Sequence, residues 1–142
     1  MAPQESPSSG FAVPDPTGPV LLVEDDEPLR HILAVALRAR GHEVTDVATA
    51  EAATAALADG LVPSIVLLDL NLPGDTGWDL LRAGSLAGAG DPPVVITSAV
   101  VVDPRRLAEH GVAGYLPKPF AVETLLATIA RLLDPGTEPE DR

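Results

Sequence analysis

Short apolar runs, separated by stretches with helical spacing, constrain this chain more than any other feature. Residues 20–23, 65–68 and 94–96 are apolar at every position, while residues 44–48 alternate only weakly. A strand with one wet face alternates; a strand covered on both faces does not. Between the runs, Leu29, Ile32, Leu33, Ala36 and Leu37 share one helical face, and Gly41 stands where a C-terminal cap belongs. Residues 50–58 form an Ala-rich helix closed by Gly60, with a thin apolar face that would lie flat against a sheet. Residues 78–86 predict a third helix, weakened by Gly84 and closed by residues 88–90. Residues 104–110 predict a short fourth helix ended by Gly111, Tyr115 and Leu116 mark a fifth strand, and Leu125, Ile129, Leu132 and Leu133 line a closing helix. Five strands alternating with five helices specify an α/β domain with a doubly wound parallel sheet, because parallel neighbours need crossover helices and these cover both faces.

The pattern starts abruptly at Pro19 and stops after Leu133. Residues 1–17 hold Pro3, Pro7, Pro14 and Pro16 among Ser and Gly, and residues 135–142 have a similar composition. Both are expected to be disordered tails around a domain at 18–134. Residues 1–17 show neither a basic stretch nor an apolar core, so no signal peptide is expected there, and no apolar run approaches the roughly 20 residues a membrane span needs. The expectation is a cytoplasmic protein without a membrane partner. Absence of cysteine removes disulfides, thiolate metal sites and cysteine catalysis. The formal net charge is −12; the two tails carry four of those charges, so −8 stays with the domain. That balance argues against direct nucleic-acid binding, which needs clustered Lys and Arg.

Ligands in open α/β sheets bind outside the carboxyl ends of the strands. Glu24, Asp25 and Asp26 follow the first run, Asp69 the third, Thr97 and Ser98 the fourth, and Lys118, the only lysine, lies between Pro117 and Pro119 after the fifth. Each has a bland reading. The acidic triple precedes a helix with Pro28 near its start, so at least one member serves as cap; Thr-Ser is a common turn pair; single lysines are usually solvated. Together they have a chemistry. Neighbouring carboxylates repel unless protonated or bridged by a cation, and a small all-oxygen set suits Mg²⁺. A phosphoryl group would find its charge offset by the metal and Lys118, with Thr97 as hydrogen-bond donor, and a carboxylate nucleophile then suffices to form an acyl phosphate.

Four segments carry a resemblance: VLLVEDDEPLR at 20–30, IVLLDLNLPG at 65–74, VVITSA at 94–99 and GYLPKPF at 114–120. In order and spacing they resemble the receiver domain of two-component response regulators, over about 18–134. The resemblance implies a flavodoxin-like sheet of strand order 2-1-3-4-5. It implies Asp69 as phosphoacceptor, Asp25 as direct Mg²⁺ ligand, Glu24 acting through water, and the backbone carbonyl of Asn71 as a further ligand. It makes Thr97 the hydroxyl that follows the phosphoryl group, Lys118 its cationic partner, Tyr115 the aromatic switch, and Lys118-Pro119 a cis bond. Residues 75–77 (Asp-Thr-Gly) and the apolar, slightly short segment 99–103 depart from the commonest pattern.

The function so implied is that of a stand-alone response regulator, not an enzyme. It would accept a phosphoryl group from a sensor histidine kinase or a histidine phosphotransfer protein. It would signal by protein contact through the fourth helix, fifth strand and fifth helix, or pass the group along a phosphorelay. A homodimer through that face is also compatible, with Arg105 and Arg106 contributing to an acidic or dimer contact. Two other classes compete. A haloacid-dehalogenase-type phosphatase would need an acid two residues after its nucleophile, where Asn71 stands. A phosphate-independent binding module would leave the acidic cluster merely structural. His31, His42 and His110 have no metal-site spacing, and Trp78 reads as packing.

Overall fold

The structure, a computed structural model, describes residues 18–74 and 76–134. The expected tails at 1–17 and 135–142, and Asp75, lie outside the described residues. Five strands, β1 (Val20–Val23), β2 (Val44–Val47), β3 (Ile65–Asp69), β4 (Val94–Ser98) and β5 (Gly114–Pro117), form one parallel sheet in the order β2-β1-β3-β4-β5.

The continuous apolar runs have the expected cause. Leu21, Val23, Val66, Leu68, Val94 and Ile96 point into one buried cluster, and Val20, Leu22, Ile65, Leu67 and Val95 into another on the opposite face. The helices α1 (Glu27–Ala39) and α6 (Val122–Leu133) cover the second cluster through Leu33, Ala34, Leu37, Leu125, Leu126 and Ile129. The first cluster is closed by α2 (Ala50–Ala58), α3 (Gly77–Arg82) and α4 (Ser85–Gly88), with α5 (Pro104–Glu109) resting at its margin. The Ala-rich α2 does lie close on the sheet, burying Ala50, Ala53 and Leu57.

Caps set most helix limits. Asp26 accepts the Leu29 N–H at 3.1 Å and opens α1, with Pro in the first turn. At its other end Gly41, at φ 92°, lets its own N–H reach the Arg38 carbonyl and that of His42 reach Leu37, the double bond pattern of a Schellman cap. The helix expected over 78–86 is two helices. Gly84 adopts φ 81° between them, a left-handed conformation that ends α3 and starts the single turn of α4. Among the described residues the domain thus carries six helices rather than the expected five.

Candidate functional site

Pairing in register places the strand ends side by side. Asp69 lies opposite Thr97, and Ser98 opposite Pro117, one residue before Lys118. Glu24 and Asp25 follow β1, the strand on the other side of β3. Glu24, Asp69 and Thr97 are buried at 2, 3 and 5 % exposure, whereas Asp25 is exposed.

One carboxylate oxygen from each of Glu24, Asp25 and Asp69 lies within 4.8 Å of the other two. Asp26 stands outside this group as the α1 cap. Lys118 directly follows β5 and precedes Pro119 in a cis peptide bond. Its Nζ lies 2.9 Å from Glu24 Oε1 and 3.2 Å from Asp69 Oδ2. Burial raises the Glu24 carboxyl above its ordinary range, and the nearby Asp69 charge acts in the same direction, against the lowering by Lys118 and the Asp26 N–H. Burial alone would lower Lys118; the hydrogen bond to Glu24 and the charges of Glu24 and Asp69 outweigh it, and the ammonium is raised.

Backbone geometry fixes Asp69 from below. The Asn71 N–H donates to Asp69 Oδ1 at 3.0 Å, and Gly77 N–H donates to the Leu70 carbonyl at 3.2 Å. A Cβ on Gly77 would stand 2.7 Å from the Asp69 carbonyl oxygen and 2.9 Å from Leu70 Cα. The first residue of α3 therefore has to be glycine for the helix to approach the Asp69 backbone.

Several contacts at the site had no signal in the sequence, even where the residues did. Arg30 Nη1 donates to the Glu24 carbonyl at 2.9 Å, and its Nε lies 3.4 Å from Asp46 Oδ2, which ties the acidic turn to β2. The fully buried Ser98 hydroxyl accepts from Asn71 Nδ2 at 3.3 Å and from the Val100 N–H at 3.1 Å, and donates to the Val100 carbonyl at 3.0 Å. The half-buried Tyr115 donates its hydroxyl to that same carbonyl at 3.2 Å. Hydrogen bonds thus run from Asp69 through Asn71 and Ser98 to the loop beneath Tyr115. Trp78 packs against the core as expected, but Arg106 does not stand free: its guanidinium sits 4.0 Å from the Trp78 ring centre. Arg105 is exposed beside Asp103.

The arrangement offers a buried carboxylate, two further acidic groups, a fixed ammonium and a buried hydroxyl at one end of a parallel sheet. The family described as response regulator receiver domain matches residues 20–130. This chain is a member of that receiver family. The FleR response regulator of Pseudomonas aeruginosa is 41% identical over 79% of the receiver chain and 24% of its own length. The DNA-binding response regulator MtrA of Mycobacterium tuberculosis is 36% identical over 86% of this chain and 54% of its own. The receiver therefore spans about half, or less, of these curated relatives. Among solved structures, the HemR receiver domain of Leptospira biflexa superposes with TM-score 0.72 at 31% identity, covering 82% of this chain and 94% of that one. The chemotaxis protein CheY4 of Vibrio cholerae does so with TM-score 0.73 at 26% identity, covering 82% and 98%. The family is a signalling module of two-component systems. Among the described residues, no helix is long and apolar enough to cross a membrane.

Proposed function

We propose that this receiver accepts a phosphoryl group on Asp69 from a phosphohistidine, in a reaction that depends on Mg²⁺. The observation that carries the reading is the convergence on nearly buried Asp69 of the Lys118 ammonium and the Glu24 and Asp25 carboxylates. Three carboxylates against one lysine leave a local excess of negative charge, and all the donors are oxygens, which fits a small divalent cation. Glu24, Asp25, Asp69 and the Asn71 backbone carbonyl would hold it, Asp25 directly and Glu24 through water. When bound, the ion supplies positive charge for the phosphoryl oxygens.

An Asp69 carboxylate oxygen attacks phosphorus, the P–N bond of the donor breaks, and its electron pair returns to the imidazole, which takes up a proton. Lys118, raised and ionised, offsets charge on the transferred group. The Thr97 hydroxyl donates to a phosphoryl oxygen, and Tyr115 follows it. The Ser98–Val100 hydrogen bonds give that movement a route into the loop before α5. A signalling effect requires that the phosphorylated site favour one arrangement of Thr97 and Tyr115 over the other.

The protein so described is a phosphoacceptor rather than an enzyme, acting in the cytoplasm with a sensor histidine kinase or a histidine phosphotransfer protein. The face formed by α5, β5 and α6, with Val100 and Val101 exposed at its edge, would meet a downstream protein, a second copy, or the next phosphorelay member. The net charge of −12 favours protein over nucleic acid as the direct contact.

A second reading has one observation behind it. Lys118 pairs with Glu24 and Asp69 at once, an arrangement that would also suit a phosphate-independent binding module. Intact mass after incubation with acetyl phosphate separates the two. One phosphoryl adduct that needs Mg²⁺ and disappears in EDTA or in Asp69→Asn supports phosphoacceptance. No adduct on folded protein, with a control receiver labelled in parallel, supports the binding module.

A further inference from the structure

Helix α5 is attached to the domain unlike its neighbours. None of its six residues is fully buried. Leu107 is half-buried against the core, and Val102, just before the helix, reaches the same cluster. The helix also stacks on α3. The Arg106 guanidinium lies 4.0 Å from the centre of the Trp78 ring. The His110 ring approaches the same indole at 4.8 Å between centroids, tilted by 47°. His110 is itself held by Nδ1, 2.9 Å from the Arg106 carbonyl. Arg106 makes no ion pair among the described residues, so the indole face is the contact that fixes its charge.

We propose that the Arg106–Trp78–His110 stack is a latch that holds α5 on α3 and thereby on the backbone of Asp69. Trp78 follows Gly77, whose missing side chain allows α3 to abut the Asp69 carbonyl. The seat of the latch is thus one residue from a backbone contact with the candidate phosphoacceptor. Beside it lies a cavity of about 160 Å³, lined among others by Asn71, Trp78, Val102 and Arg106. That space separates the loop after β3 from the loop before α5, and gives the second loop room to close when the latch shifts. A cation over an indole is a modest, reversible contact, suited to an element that opens without unfolding the rest.

The latch itself requires no phosphoryl chemistry; its coupling to Asp69 rests on the function proposed above. Amide hydrogen exchange on the full chain tests the first part. In Arg106→Gln, amides of residues 104–112 should exchange about two- to five-fold faster, the size expected for a partly exposed cation–π contact, with β1 and β3 unchanged. Trp78→Leu should do the same, and the double variant should be no faster than the faster single one. The emission of Trp78, the only tryptophan, should shift in Arg106→Gln. If Trp78→Leu does not fold, Arg106→Lys replaces it, with exchange between wild type and Arg106→Gln. Unchanged exchange and emission in Arg106→Gln, or additive effects in the double variant, would overturn the latch.

For the coupling, Trp78 emission is followed while the adduct is measured by mass in the same sample. An adduct accompanied by an emission change that Arg106→Gln abolishes supports it. An adduct with unchanged emission overturns it. Absence of an adduct contradicts the phosphoacceptor function and the coupling together, and leaves the latch to be decided by the exchange data.

Discussion

Helices α1 and α5 begin alike and are held differently. Each opens on an aspartate cap followed by proline in the first turn: Asp26 with Pro28, and Asp103 with Pro104. Yet α1 runs for 13 residues and buries Leu33, Ala34 and Leu37, whereas α5 runs for six and buries none. A cap decides where a helix starts; burial decides how firmly it stays. The firm helix follows the acidic residues Glu24 and Asp25, and the loosely held one follows Thr97 and Ser98. Under the proposed function, the firmly held end carries the acidic residues that would hold a cation, and the less buried end carries the element that would respond.

The largest expected difference between the two helices lies in the core. Leu37→Ala, at a fully buried position on α1, should lower global stability by about 2–5 kcal/mol. Leu107→Ala on α5 should cost under about 1.5 kcal/mol, both read from urea denaturation. Equal losses would end the distinction between the helices. Next in size is the close approach of α3, which carries Trp78, to the end of β3. Gly77→Ala forces a methyl group onto the Asp69 and Leu70 backbone, and should cost about 1–3 kcal/mol while slowing phosphorylation of Asp69 by acetyl phosphate.

The helix caps carry smaller effects. Asp26→Ala should reduce global stability by about 1 kcal/mol. Asp103→Ala should reduce it less, because α5 opens before the domain unfolds, and its effect should appear as faster exchange confined to residues 104–112. The smallest effect concerns α3, which carries Trp78. The Thr76 N–H and hydroxyl, and secondarily Arg82, hold the Asp79 carboxyl below its ordinary value of 3.8. A depressed folded value stabilises the helix start above pH 3.8, and that contribution is lost as pH falls through the lower folded value. Protection of the first amides of α3, corrected for the intrinsic pH dependence of exchange, should therefore fall at acid pH in the wild type, and Asp79→Asn should remove that pH dependence.

Much of this was legible in the sequence because it follows from local rules. Continuous apolar runs mark strands covered on both faces, and Gly41, Gly60 and Gly111 mark helix ends. Residues directly after strands in a parallel sheet converge, which is why Glu24, Asp25, Asp69, Thr97 and Lys118 could be named as one group. Gly84 was visible as a weakness, but the break it makes between α3 and α4 needed the backbone itself. The Arg106–Trp78 stack and the Asn71–Ser98–Val100 hydrogen bonds were not legible. Each joins loops or helices far apart in the chain through side chains with no periodic signature, and only the packing of α5 on α3 and of β4 on β3 brings them together.

The proposed phosphoacceptor is Asp69, at the end of β3, and not Glu24 or Asp25, which cluster with it, nor the capping Asp26. Borohydride reduction of the acetyl phosphate-treated receiver, followed by peptide mass analysis, tests it most directly, since an aspartyl phosphate is reduced to homoserine. Phosphorylation at Asp69 yields homoserine at position 69 only, dependent on Mg²⁺. Reduction at Glu24, Asp25 or Asp26, or no reduced residue on a labelled chain, would contradict it.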